Sequence, residues 1–142
     1  MRSQKGVSLI EVMVAVIIFT VGLLGLAALQ LNSIRFTESA SVRGHAVFLA
    51  QEMSDRIRAR PEGISIASYN LGKSDAPSCA DPATCDANLR DLSEWRVNLA
   101  AQLPSGTGTV AVDGNRVTVT VIWSEKRVNG AEEQTISTVT RM

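Results

Sequence analysis

A single acidic residue inside an apolar run constrains this chain more than any other feature. Val7 to Leu29 contains one charged residue, Glu11. A helix crosses a bilayer with about 20 apolar residues, so the run is long enough. An acidic side chain near the centre of such a helix costs roughly 2.5–3.5 kcal/mol on insertion scales. Residues of that kind have partners, and this run offers Glu11 none. The partner must come from another chain or from a terminus made by processing.

The preceding residues, Met1-Arg-Ser-Gln-Lys-Gly6, are polar and carry Arg2 and Lys5. Basic residues on this flank place the N-terminus in the cytoplasm and the rest of the chain outside. A secretory signal peptide is cut after its apolar core. Here the one candidate junction, Gly6-Val7, lies before it. A cut there removes a basic leader and keeps the whole apolar run. It also frees an amine on Val7, four residues from Glu11 and on the same helix face. The plainer alternative is an uncut signal-anchor helix with a stray glutamate.

Lys5-Gly-Val-Ser-Leu-Ile-Glu11 resembles the class III signal of type IV pilins and pseudopilins. The resemblance implies that a prepilin peptidase cuts after Gly6 and N-methylates Val7. Glu11 then becomes the fifth mature residue and acts in assembly. Val7 departs from the commoner Phe or Met at that position.

Composition leaves room for one small domain beyond the run. The 142 residues balance 14 basic against 14 acidic side chains, and loss of Arg2 and Lys5 leaves 12 against 14. No basic excess points to nucleic acid, and aromatics at 4% offer little base-stacking surface. The two cysteines, Cys79 and Cys85, lie in Cys-Ala-Asp-Pro-Ala-Thr-Cys. Outside the inner membrane the compartment is oxidising, and a disulfide with Pro82 in its turn is the default. Two thiols and a distant His45 do not make zinc spacing, so no metal is expected. No other cofactor is expected either.

From Val7 to Arg60 there is no proline, and the pattern predicts one long helix to about residue 60. Its domain boundaries read as leader 1–6, membrane helix 7–30 and periplasmic domain 31–142. Phe36, Ala40, Val47, Ala50, Met53 and Ile57 form an apolar stripe beyond the membrane. Arg35, Glu38, Gln51, Asp55 and Arg58 take the other side. Residues 61–87 read as an irregular loop stapled by the cysteines. A short helix is predicted over 88–103, with Leu92, Trp95, Leu99 and Leu103 on one side and Pro104 as its stop. An antiparallel sheet follows over 107–140, with strands at Thr109–Val112, Arg116–Ser124 and, more weakly, Gln134–Thr140. Asp113-Gly-Asn115 and Asn129-Gly130 are its turn signals. The last strand reads as an exposed edge.

No enzyme signature is present: no phosphate loop, no His-Glu-x-x-His and no Gly-x-Ser-x-Gly. His45 reads as a helix-surface or packing residue. Asp81, Asp86 and Asp91 read as loop or capping acids, and Trp95 and Trp123 as core.

Four blocks resemble the PilV family of minor pilins, the type IV pilus modification proteins. They are Gly22–Gln30, Leu49–Arg58, Trp95–Pro104 and the valine-rich strand ending in Trp123-Ser-Glu125. The resemblance implies an α+β pilin fold, a long N-terminal helix whose outer half packs on a small antiparallel sheet. It implies a part in priming type IV pilus assembly and in presenting a tip adhesin. The partners implied are other minor pilins and pilus subunits, the prepilin peptidase, the inner-membrane assembly platform and a tip adhesin. The location implied is a single-pass inner-membrane protein, then the pilus tip. A minor pseudopilin of a type II secretion system and a non-assembling, membrane-anchored periplasmic domain remain as alternatives.

Overall fold

A computed structural model describes residues 6–81, 84–127 and 130–142. Helix α1 spans Leu9–Arg58 and α2 spans Ala87–Gln102. Three strands follow, β1 (Thr107–Asp113), β2 (Arg116–Arg127) and β3 (Gly130–Arg141). They form one antiparallel sheet in the order β1-β2-β3. The fold is α+β and pilin-like, with a long N-terminal helix packed on a small antiparallel sheet. The leader residues 1–5, Pro82 and Asn129 lie outside the described residues.

The chain divides into two units, one up to Ser39 and one from Ala40 onward. In the first unit the apolar side chains of α1 are exposed from Leu9 to Phe36. Gly22 and Gly25 sit within unbroken helix. The helix is long and apolar enough to cross a membrane.

In the second unit α1 buries Ala46, Leu49, Ala50, Met53, Ser54 and Ile57. This corrects the stripe read from sequence. Ala50, Met53 and Ile57 are core, whereas Phe36, Ala40 and Val47 are exposed. At 3.6 residues per turn, Val47 lies roughly a quarter-turn from the centre of the buried face, and Phe36 belongs to the first unit. Ala46 and Leu49 take the place of Val47.

Helix α2 contributes Leu92, Trp95 and Leu99 to the same core, and Leu103 follows at its C-cap. The sheet contributes Val110 from β1 and Val117, Val119, Val121 and Trp123 from β2, all at most 2% exposed. Trp95 joins helix to helix as well, since its Nε1 donates to the Leu49 carbonyl at 2.9 Å. Burying that N–H with a partner avoids the cost of an unpaired donor.

Every strand is longer than its sequence signal. β1 runs through Gly108, which lies outside the strand read from sequence at Thr109–Val112. A Cβ there would lie 2.4 Å from Trp95 Cη2, so glycine lets the indole close on the strand. At the β1–β2 turn Gly114 takes φ 56°, a value suited to the first central position of a two-residue hairpin. β3 is paired with β2 along its whole length, from Gly130 opposite Arg127 to Arg141 opposite Arg116. Pairing rather than propensity makes the Ala-Glu-Glu stretch at its start a strand.

Residues 61–87 are not wholly irregular. Ile66–Tyr69 forms a 3-10 turn capped by Ser65, whose side chain accepts from Ala67 N–H. Tyr69 and Leu71 are core residues. Leu71 also exchanges two backbone hydrogen bonds with Val110, at 2.8 and 3.0 Å, on the outer edge of β1.

Candidate functional site

Gly6 and Val7 lie in non-helical backbone just before α1. Val7 is 71% exposed, and a Cβ on Gly6 would meet nothing within 4 Å. The junction between them is exposed. The Ser8 carbonyl starts the helix by accepting from the amides of Glu11 (3.0 Å) and Val12 (3.3 Å). Glu11 stands in the first turn, where a negative charge is favoured by the exposed N–H groups. It shares a shallow groove with Val7, Val12, Ala15, Val16 and Phe19. Of the three residues singled out from the sequence, Val7 and Glu11 thus line one exposed groove, and Gly6 precedes Val7 outside it. Among the described residues Glu11 has no cation beside it: the recorded ion pairs all belong to the second unit.

Residues 1–27 match the family model of the prokaryotic N-terminal methylation motif. That match supports a type IV pilin-like protein. The motif implies processing by a prepilin peptidase and pilus subunits as partners in general. An apolar N-terminal helix that carries it is consistent with anchoring in the inner membrane. No curated protein and no solved structure matches the chain.

In the second unit Cys79 and Cys85 are joined as a disulfide with their Cα atoms 5.8 Å apart. The Asp81 carbonyl organises the ring by accepting from Thr84 N–H (3.1 Å) and Cys85 N–H (3.0 Å). Pro82, proposed to help this turn, is outside the described residues. The ring leads directly into α2, whose N-cap is Asp86. A groove between the loop and α2 is lined by Asp75, Pro77, Cys79, Arg90, Glu94 and Val97.

Two arginines that the sequence reading passed over hold this region together. Arg96 Nη2 donates to the carbonyls of Gly72 (2.6 Å) and Lys73 (3.2 Å), and Nη1 donates to Thr107 Oγ1. It ties the loop to α2 and β1. Burial pulls its pKa down, and Asp75 opposes that. Arg56 reaches Glu52 at 2.7 Å, Glu94 at 2.9 Å and Asp91 at 3.6 Å. Burial acts to lower its pKa, but its bonds to Glu94 and Glu52 and the charge of Asp91 raise it overall. The spacing of Glu52 and Arg56 is the one sequence signal for this cluster.

Asp91 is not a loop or capping acid. It lies within α2 and accepts a hydrogen bond from Tyr69 Oη at 3.0 Å. Burial, and then that bond, push the Tyr69 hydroxyl up to about 12. Together these groups brace the loop, α1, α2 and β1. His45 is exposed on α1. Trp95 and Trp123 are both buried. Among the described residues no group of His, Cys, Asp and Glu could hold a metal ion.

Proposed function

We propose that this protein is a minor pilin of the PilV type, which helps to prime type IV pilus assembly and to present a tip adhesin. The observation that carries the reading is the methylation motif over residues 1–27 on a fully exposed apolar helix. The PilV-like blocks at Gly22–Gln30, Leu49–Arg58 and Trp95–Pro104 support the finer assignment. On this reading the leader is cut at Gly6-Val7, Val7 is methylated, and the protein sits in the inner membrane with its compact unit in the periplasm. It then enters the pilus at the tip with other minor pilins, through the assembly platform. Nothing in the side-chain chemistry argues for an enzyme.

Glu11 is the docking group. Its carboxylate pairs with the charged N-terminus of an adjacent subunit inside the apolar bundle. A buried ion pair is not strongly stabilising, but breaking one leaves an uncompensated charge at roughly 3–5 kcal/mol. A subunit docked out of register meets that cost. The amine exists only after cleavage, so processing and assembly are coupled.

The test replaces Glu11 by Gln in cells that carry the whole system. The leader should still be cut, by mass spectrometry of the mature chain, while co-purification with other minor pilins and the number of surface pili fall. Normal piliation in the variant would overturn the docking role. Lost protein secretion with intact pili, on deletion of the gene, would show a type II pseudopilin instead. A chain that keeps Met1 beside an active prepilin peptidase would show a membrane-anchored domain that does not assemble.

A further inference from the structure

The two free edges of the sheet are treated differently. On β1, Val110 is paired with Leu71, and the Val112 amide donates to Asn70 Oδ1 at 3.2 Å. That edge is closed. β3 has no such cover among the described residues: no bridge is recorded on its outer side. Exposed edges are normally guarded by proline, bulges, shortness or inward charges. β3 is 12 residues long, and Gln134–Thr140 contains no proline, glycine or charge.

The register tells which backbone groups are free. Met142 donates its amide to Asn115 at 2.8 Å. Even-numbered residues of β3 therefore point N–H and C=O at β2, and Glu133, Thr135, Ser137, Val139 and Arg141 point theirs outward. The sheet also thins out here. Gln134, Ile136, Thr138 and Thr140 are half-buried, whereas the residues opposite them on β2 are buried.

We infer that β3 pairs antiparallel with β3 of a second copy of this chain, about a two-fold axis at Ser137. Among the registers that join outward groups to outward groups, this one spans Glu133 to Arg141 and places Glu133 opposite Arg141 of the second copy. Both charges lie on the same outer face, and the two-fold repeats the pair. Thr135 then faces Val139, and Ile136 faces Thr138 on the inner side. Each outward residue exchanges its N–H and C=O with the residue opposite. Opposite charges across strands favour this register, and slipped registers lose them. Lys73, which pairs with Glu133 within one copy, joins the cluster. A foreign strand would satisfy the same backbone groups but has no reason to carry this charge pattern.

The experiment uses the full-length chain in detergent, with mass measured by light scattering and sedimentation. The wild type should dimerise. Ser137→Pro should be monomeric yet folded, because that amide serves only the free edge. Arg141→Glu should weaken dimerisation by about tenfold, and adding Glu133→Arg should restore most of it. Cysteine cross-linking reports the register even if the proline variant misfolds. Ser137→Cys brings two Cα atoms to about 5.5 Å, within the bridging range of about 4.4–6.8 Å. Thr135→Cys leaves its two copies about 14 Å apart. Oxidation should therefore link the 137 variant and spare the 135 variant. A monomeric wild type, or a dimer that cross-links equally at both positions, would overturn the inference, the second outcome pointing to association through the apolar helices.

Discussion

Up to Ser39, helix α1 is richer in apolar side chains than it is from Ala40 onward, and yet the richer part buries none of them. Leu23, Leu24, Leu26 and Leu29 are exposed, whereas Ala46, Leu49, Ala50, Met53 and Ile57 are fully buried. The difference lies in what the chain supplies as a partner. The outer part has polar side chains on one face and is matched by two tryptophans and a valine-lined sheet. The inner part is apolar all round, which suits lipid or a bundle of like helices and no single facing surface. Hydrophobicity alone thus does not say whether a helix belongs to a core; the width of the apolar stripe and the supply of facing residues do.

The sharpest way to break this comparison is to remove one large side chain from each part. Trp95 is wholly buried and bonded to the Leu49 carbonyl. Trp95→Ala should cost about 3–5 kcal/mol and should unfold the compact unit at a much lower urea concentration, with Trp123 fluorescence as the reporter. Leu24→Ala, in the same full-length chain in detergent, should move that transition by less than about 0.5 kcal/mol. Equal shifts from the two variants would mean that the units are not energetically distinct.

Glycines sharpen the same contrast. A methyl group on Gly108 would meet Trp95, Leu99 and the Thr120 carbonyl, all under 3 Å away, whereas one on Gly25 would meet nothing within 4 Å. Gly108→Ala overpacks the core and should lower the unfolding free energy by about 3 kcal/mol. Gly25→Ala should leave the urea transition in place and, by removing a poor helix former, should slow backbone amide exchange around residue 25. A tolerant Gly108 would show that the indole has room to move.

The sequence was most legible where one local signal sufficed. The apolar run, the methylation motif, the cysteine ring, α2 and the alternation of β2 needed no knowledge of distant residues. Legibility failed where a distant partner set the outcome. The stripe read from sequence takes in Val47 and leaves out Leu49, because only the facing surface fixes the rotation of α1. The strand read from Thr109 leaves out Gly108, because nothing local shows that Trp95 lies over it. Tyr69 and Leu71 sit in a stretch of Ser, Gly and Asn, and nothing local shows that β1 needs its edge covered. At the candidate site none of the described ion pairs involves Glu11, and the sequence of one chain does not name a partner on another.

The smallest expected effect concerns pH, and it also separates the two parts of the molecule. The only tyrosine, Tyr69, belongs to the compact unit, so alkaline loss of stability through a phenol can arise only there. Its pKa is pushed up to about 12 by burial and by the bond to Asp91. The unfolded chain releases that proton near pH 10. The folded state therefore holds the proton more tightly, and the stability this confers is complete below about pH 10. It is lost as pH rises from there towards 12. Tyr69→Phe keeps the ring in the core and removes the hydroxyl, which should cost about 1 kcal/mol at pH 8 for the lost hydrogen bond. Between pH 10 and 12 the wild type should lose stability more steeply than the Phe variant, so the two urea-midpoint curves should converge. Parallel curves across that range would mean that the hydroxyl titrates alike in both states and that the Asp91 bond does not hold its proton.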